Sequence, residues 1–178
     1  MGSIVAMKKH IVLVGLPGAG KTTVGRLLAE RLGAAFVDCD SIIVRKMQMP
    51  VSRIFAEHGE IKFRELEREA MVNALGGPPA VISPGGGWIS QPGALEATKA
   101  ASLIIYLKTM VATAAKRAEA SGIRPLLATE DPMERMRTLL REREPYYAKA
   151  DAEIKADIKS AAQLADDIVA LAKDRAGW

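Results

Sequence analysis

The amino-acid sequence predicts an α/β sandwich: a five-stranded parallel sheet with helices on both faces. Three observations predict it. Short apolar runs alternate with longer stretches of helical periodicity, and such alternation implies right-handed crossovers between parallel strands. Runs such as "HIVLV" and "SLIIYL" read as strands buried on both faces. A glycine-rich turn, "GLPGAGKT", joins the first run to the first helical stretch.

The elements follow in order. "HIVLVG" (10–15) is the first strand. From Thr23, Val24, Leu27, Leu28 and Leu32 form a helical stripe that Gly33 ends. "AAFVD" (34–38) is the second strand, and two or three helical segments follow, at about 41–47, 51–58 and 60–75. "AVIS" (80–83) and "ASLIIYL" (101–107) are the third and fourth strands. A helix covers about 111–120, and "SGIRPLLATEDP" (121–132) is a loop with a glycine and two prolines. Residues 133–147 are helical, and "AEIKA" (152–156) fits a short fifth strand. Ser160 suits the cap of a last helix, with Leu164, Ile168 and Leu171 on one face. With no repeat and no linker, residues 1–178 read as one domain, its ligand site outside the carboxyl ends of the strands.

Composition narrows the function. At 178 residues the chain can bury a full core, and 49% hydrophobic residues speak against disorder. The net charge of +4 is modest and spread along the chain. It suits an anionic small molecule rather than a nucleic-acid surface. Cys39 is the single cysteine, so an internal disulfide and a cysteine-based metal site are excluded. A reducing, cytoplasmic setting is expected. No apolar run approaches the ~18 residues of a membrane span. The basic-then-apolar start "MKKHIVLVGLPGAG" runs into "GKTTVGR" where a signal-peptide cleavage site should be, and is not read as one.

"GLPGAGKT" (15–22) fits the pattern Gly, four residues, Gly-Lys-Thr, between a buried strand and a helix. Gly15, Gly18 and Gly20 let the backbone turn its N–H groups inward, beside the partial positive charge of a helix N-terminus. Ala19 and Thr23 complete the cradle. Lys21 is placed to reach the outer phosphates, and the Thr22 hydroxyl to ligate Mg²⁺. ATP or GTP binding is the first functional expectation.

The phosphate acceptor has its own candidates. In "FVDCD", strand alternation puts Asp38 and Asp40 on one side and Cys39 on the other. That strand is expected beside the first strand, the one that leads into "GLPGAGKT". A carboxylate there can hold Mg²⁺ through water or take a proton from an attacking hydroxyl; it can also simply cap the next helix. Arg64 suits an anion, or an ion pair with Glu60 or Glu67 on its own helix. Arg143 shares a helix side with Met136, Leu139 and Leu140, so it needs an anionic partner. The run "SPGGGW" (83–88) ends the third strand with three glycines, which suits a close approach to bare backbone.

Together these segments resemble the shikimate kinases, small P-loop kinases of aromatic amino-acid biosynthesis. The resemblance runs from about Lys9 to Ala152 and rests on "GLPGAGKTTVGRLLAERLG", "FVDCD", "IFAEHGEIKFRELE", "GGG", "IRPLL" and "REREPYY". It implies a P-loop kinase fold and ATP-dependent phosphorylation of the 3-hydroxyl of shikimate, with Mg²⁺. It implies that Asp40 binds the ring hydroxyls and acts as base, that Arg64 and Arg143 grip the carboxylate, and that Gly86 and Gly87 offer backbone N–H groups. It implies that Asp38 holds Mg²⁺ through water beside Thr22. Arg124 would enter from a mobile lid at about 121–132, and Arg117 would stack on adenine. A monomer is expected. Three positions depart from the family pattern: Trp88 follows the glycines, Pro84 precedes them, and Gln48 replaces a usual glycine. Trp88 either packs behind the loop or lines the pocket. Two rivals remain: a kinase of another polyhydroxy acid such as gluconate, and a metabolite sensor without turnover.

Overall fold

The computed structural model describes residues 7–120 and 131–178. Among the described residues five strands form one parallel sheet: β1 (His10–Val14), β2 (Phe36–Asp38), β3 (Val81–Ser83), β4 (Ser102–Lys108) and β5 (Ala152–Lys155), in the order β2-β3-β1-β4-β5. β3 and β4 flank β1, with Ile11 opposite both Val81 and Leu103.

The unbroken apolar strands feed two cores because alternate side chains point to opposite faces. Val12, Val14, Ile104 and Tyr106 pack on one face with Ile43, Ile54, Met71 and Leu139. Ile11, Leu13, Ile105 and Leu107 pack on the other with Leu28, Leu164 and Ile168. The second face is covered by α1 (Lys21–Leu32) and α7 (Ala161–Arg175), the first by α2 (Cys39–Met47), α3 (Val51–Gly76), α5 (Val111–Ala120) and α6 (Pro132–Tyr147). The three layers are those expected from the sequence.

Local chemistry sets several boundaries. Gly33 ends α1 in the left-handed region at φ 62°. Ser160 and Gln163 form a reciprocal capping box on α7. The segments expected at 51–58 and 60–75 are the two arms of α3, bent at Gly59 (φ 81°, ψ 168°), a backbone region open essentially to glycine alone.

Five features differ from expectation. β2 begins at Phe36, not residue 34, and ends at Asp38. Cys39 opens α2, so Asp40 stands in a first helical turn and not on a strand. β2 also pairs with β3, which separates it from the P-loop strand. A 3-10 turn at Trp88–Ser90 and a short helix α4 (Ala94–Ala101) fill a region where the sequence reading has no element. Of the loop expected at 121–132, residues 121–130 lie outside the described residues, while Pro132 already opens α6 behind an Asp131 cap.

Candidate active site

The crossover order reverses at β1, which places a crevice at the carboxyl ends of β1 and β3. Two glycine-rich loops meet there: the P-loop after β1, and Gly85–Gly87 after β3. Gly15, Lys21, Gly85, Gly86 and Tyr147 all line the narrow space between them.

The P-loop glycines serve contact as well as curvature. A β-carbon on Gly15 would stand 2.7 Å from the Leu107 carbonyl oxygen, and one on Gly18 would collide with the Ala114 carbonyl of α5. Gly20 caps α1 in a left-handed conformation. Lys21 folds back on the loop, and Nζ donates to the carbonyls of Gly15 (2.7 Å) and Leu16 (2.8 Å). Burial lowers its pKa from 10.5 to about 8; Arg143 adds to the fall, while Asp40 and Asp38 oppose it. Thr22 Oγ1 donates to Asp38 Oδ2 at 3.4 Å. Asp38 also caps α2, its Oδ1 accepting from the Ser41 N–H. Capping and the expected metal role therefore fall on the same residue. One hydroxyl and one carboxylate oxygen beside the P-loop make a hard-oxygen donor pair that fits Mg²⁺.

Although not on a strand, Asp40 reaches the centre of the site. Asp38, Lys21, Arg64 and Arg143 all act on its carboxylate. Desolvation by burial raises its pKa first and repulsion from Asp38 second, while the three cations oppose the rise. Arg64 and Arg143 come from distant helices, α3 and α6, and converge on the glycine loop.

The three glycines explain that convergence. None of Gly85, Gly86 and Gly87 has a positive φ, so conformational freedom is not why they are glycines. A β-carbon on Gly85 would lie 2.8 Å from Glu67 Oε1 and 2.9 Å from Asp40 Oδ1. On Gly86 it would lie 2.6 Å from Arg143 Nη1, and on Gly87 2.6 Å from Arg64 Nη1. Each glycine leaves room for one part of the charged cluster. Gly86 and Gly87 thus join Lys21, Asp40, Arg64 and Arg143 in one place, as expected. Gly85 and Glu67 are additions.

Glu67 is fully buried. It accepts from Arg64 Nη1 at 2.7 Å, while Glu60 pairs with Arg64 more loosely at 3.5 Å. The sequence reading treats both as surface pairing options for Arg64. Yet Glu67 lies on the stripe of Phe63, Ala70 and Met71 at helical spacing, a signal that marks it as buried. Burial raises its pKa, and Arg64 counters this. Four buried polar atoms of the cluster lack a hydrogen-bond partner among the described residues: Asp40 Oδ1, Arg64 Nε, Glu67 Oε1 and Arg143 Nη1. Buried polar atoms are nearly always paired, so this concentration of acceptors and donors suits a polar, charged ligand.

Trp88 packs behind the loop. Its indole N–H donates to Thr98 on α4 at 3.0 Å, and its side chain is buried in the core. Arg117 stands in the exposed last turn of α5, the helix that crosses Gly18. Arg124 falls outside the described residues.

A phosphate cradle beside a buried acid, two arginines and bare backbone defines a P-loop kinase of a small acceptor. The chain belongs to the shikimate kinase family: the family model described as "Shikimate kinase" matches residues 17–173. A shikimate kinase of Moorella thermoacetica is 43% identical over 162 residues, covering 91% of this chain and 93% of the relative. The structure of the Acinetobacter baumannii shikimate kinase in complex with shikimate superposes with a TM-score of 0.88 at 38% identity, covering 94% of each chain. A gluconokinase structure from Sinorhizobium meliloti is similar at TM-score 0.65 but 17% identity, with 96% of this chain and 95% of that one covered; that likeness shows the fold alone.

Proposed function

We propose that the protein transfers the terminal phosphoryl group of ATP to the 3-hydroxyl of shikimate, releasing ADP and shikimate 3-phosphate. Lys21, Asp40, Arg124, Arg64 and Arg143 carry the reaction. The observation that carries this reading is the convergence of Asp40, Arg64 and Arg143 on Gly85–Gly87, one strand away from the P-loop lysine. The family membership supports the same acceptor.

In this reading the roles follow from position in the site and, for Arg124 and Arg117, from the family resemblance. Backbone N–H groups of Gly15–Gly20, with Thr23 at the helix start, cradle the phosphates. Lys21 exchanges its two carbonyl partners for phosphate oxygens. Thr22 and Asp38 would hold Mg²⁺, which would supply neutralising charge at the phosphates. Asp40 accepts the proton of the attacking hydroxyl, a task its raised pKa favours. Arg143 and Arg64 grip the acceptor's carboxylate, and the Gly86 and Gly87 N–H groups meet its polar edge. Arg124 steadies the moving phosphoryl group, and Arg117 stacks on adenine. The protein acts as a cytoplasmic monomer in this reading.

A coupled ADP-release assay over a panel of acceptors tests it. Shikimate should give the highest kcat/KM, with gluconate near background. A higher kcat/KM for gluconate would point to the rival kinase. Shikimate binding with no ADP formed would point to a sensor.

A further inference from the structure

The carbonyls of the glycine loop are all tied down. The Gly85 carbonyl accepts from the Trp88 N–H at 3.0 Å. The Gly87 carbonyl accepts from Ser90 Oγ (2.9 Å) and Gln91 Nε2 (3.2 Å). Only the Gly86 carbonyl is held from afar: Tyr147 Oη, on α6, donates to it at 3.1 Å. Tyr147 is buried, its ring stacked on Tyr106 at 5.0 Å between centroids. It stands one helical turn beyond Arg143, whose guanidinium bears on its hydroxyl.

A trans peptide is planar, and its C=O and N–H point to opposite edges. Holding the Gly86 carbonyl therefore aims the Gly87 N–H. A peptide between two glycines otherwise rotates easily as a unit, because no β-carbon resists either orientation. We propose that Tyr147 is a positioning residue for the acceptor: its hydroxyl locks the Gly86–Gly87 peptide so that the Gly87 N–H faces the acceptor before it arrives. One helix thus delivers Arg143 to the acceptor and fixes the backbone donor beside it. This rests on the reading that Gly86 and Gly87 face the acceptor.

The test is Tyr147→Phe, which keeps the ring and deletes the donor. KM for shikimate should rise about three- to tenfold, the range of one neutral hydrogen bond. KM for ATP should stay within twofold, and kcat should fall less than KM rises. Tyr106→Phe is the control. It deletes the stacked partner's hydroxyl, which donates to Glu144 at 2.6 Å and not to the loop. It should lower the Tm and leave the shikimate KM unchanged. Equal rises in shikimate KM for both variants would mean that Tyr147 only packs, and would overturn the proposal. So would an unchanged shikimate KM in Tyr147→Phe while Arg143→Ala weakens shikimate binding. Should Arg143→Ala also leave shikimate binding intact, the acceptor reading itself fails and this inference with it. A measurement on the unaltered protein is independent of variant folding. With [15N]glycine labelling, the Gly87 amide should give one sharp resonance before shikimate is added. A resonance broadened by exchange and sharpened only by shikimate would overturn the lock.

Discussion

Arg143 Nη1 lies 2.6 Å from the point where a β-carbon on Gly86 would stand. The two residues are 57 positions apart in sequence, on α6 and on the loop after β3. Their approach sets a requirement at residue 86 that is one of space and not of backbone conformation, because Gly86 has no positive φ.

Gly86→Ala should therefore fold. The atom in the way is the far end of a flexible side chain, and Arg143 can swing aside. What is lost is the position of its guanidinium. The expected outcome is a rise of about tenfold or more in the Kd for shikimate, with the Kd for ATP unchanged. Calorimetric titration of each ligand separately checks both halves. A variant that unfolds instead would show that the loop tolerates no displacement at all.

Asp40→Asn should stabilise the protein while sharply slowing turnover. Burial and Asp38 hold the Asp40 pKa above its ordinary 3.8 despite three nearby cations. The folded state thus binds this proton more tightly than the unfolded chain. Stability from this group is greatest below the unfolded value and is lost as pH rises through the raised folded value. Glu67 acts in the same sense. Above that raised value the ionised Asp40 is a burden that the fold carries for catalysis. Removing the charge should raise the Tm at pH 7 and lower kcat by about 10²–10⁴. Thermal melts of both proteins from pH 4 to 8 check the sign: the gain should shrink toward acid.

The parts of this molecule legible in the sequence are those written in local pattern. The P-loop has its spacing, β1 and β4 have unbroken apolar runs, and the bend at Gly59 has a glycine between two helical stripes. Asp40 was misplaced because alternation along a strand assumes that the strand continues. Asp38 ends it by capping α2, a competition between two local uses of aspartate. Gly85, Glu67 and Tyr147 were not assigned to the site because their roles exist only in three dimensions. The helical stripe marks Glu67 as buried, but its closeness to Gly85 exists only in the fold, as does the meeting of Tyr147 with Gly86 across 61 positions. Position α4 escaped because eight residues between a Gly-Pro-rich turn and a strand carry too few turns for a clear stripe.

Gln48 ends α2 at φ 54°, ψ 36°, the one described non-glycine residue with positive φ. A side chain there pays roughly 1–2 kcal/mol in steric strain. Part of this is offset because Gln restricts the unfolded chain more than glycine would. Gln48→Gly should leave a net gain of about 0.5–1 kcal/mol, a Tm rise of about 1–4 °C. Gln48 is exposed and outside the charged cluster, so kcat and both KM values should not move. Differential scanning calorimetry checks the gain, and a fall in Tm would show that the side chain makes compensating contacts.

Binding of ATP should take up protons at alkaline pH. Lys21 has a pKa of about 8 because burial disfavours its charge. At pH 8.5 roughly three-quarters of the lysines are then neutral, by the ordinary titration relation. A triphosphate brings several negative charges to Nζ and favours the ammonium form, so the pKa must rise on binding. Each lysine that was neutral takes up one proton. Titration calorimetry at pH 8.5, in two buffers of different ionisation enthalpy, reads this as a difference in apparent binding heat. The uptake should approach roughly three-quarters of a proton per site, beyond that of free nucleotide, and fade toward pH 7 as Lys21 becomes charged beforehand. Lys21→Arg should abolish it, because guanidinium stays protonated throughout this range. Uptake that persists in Lys21→Arg would assign the proton to another group, with Lys21 already charged before the nucleotide binds.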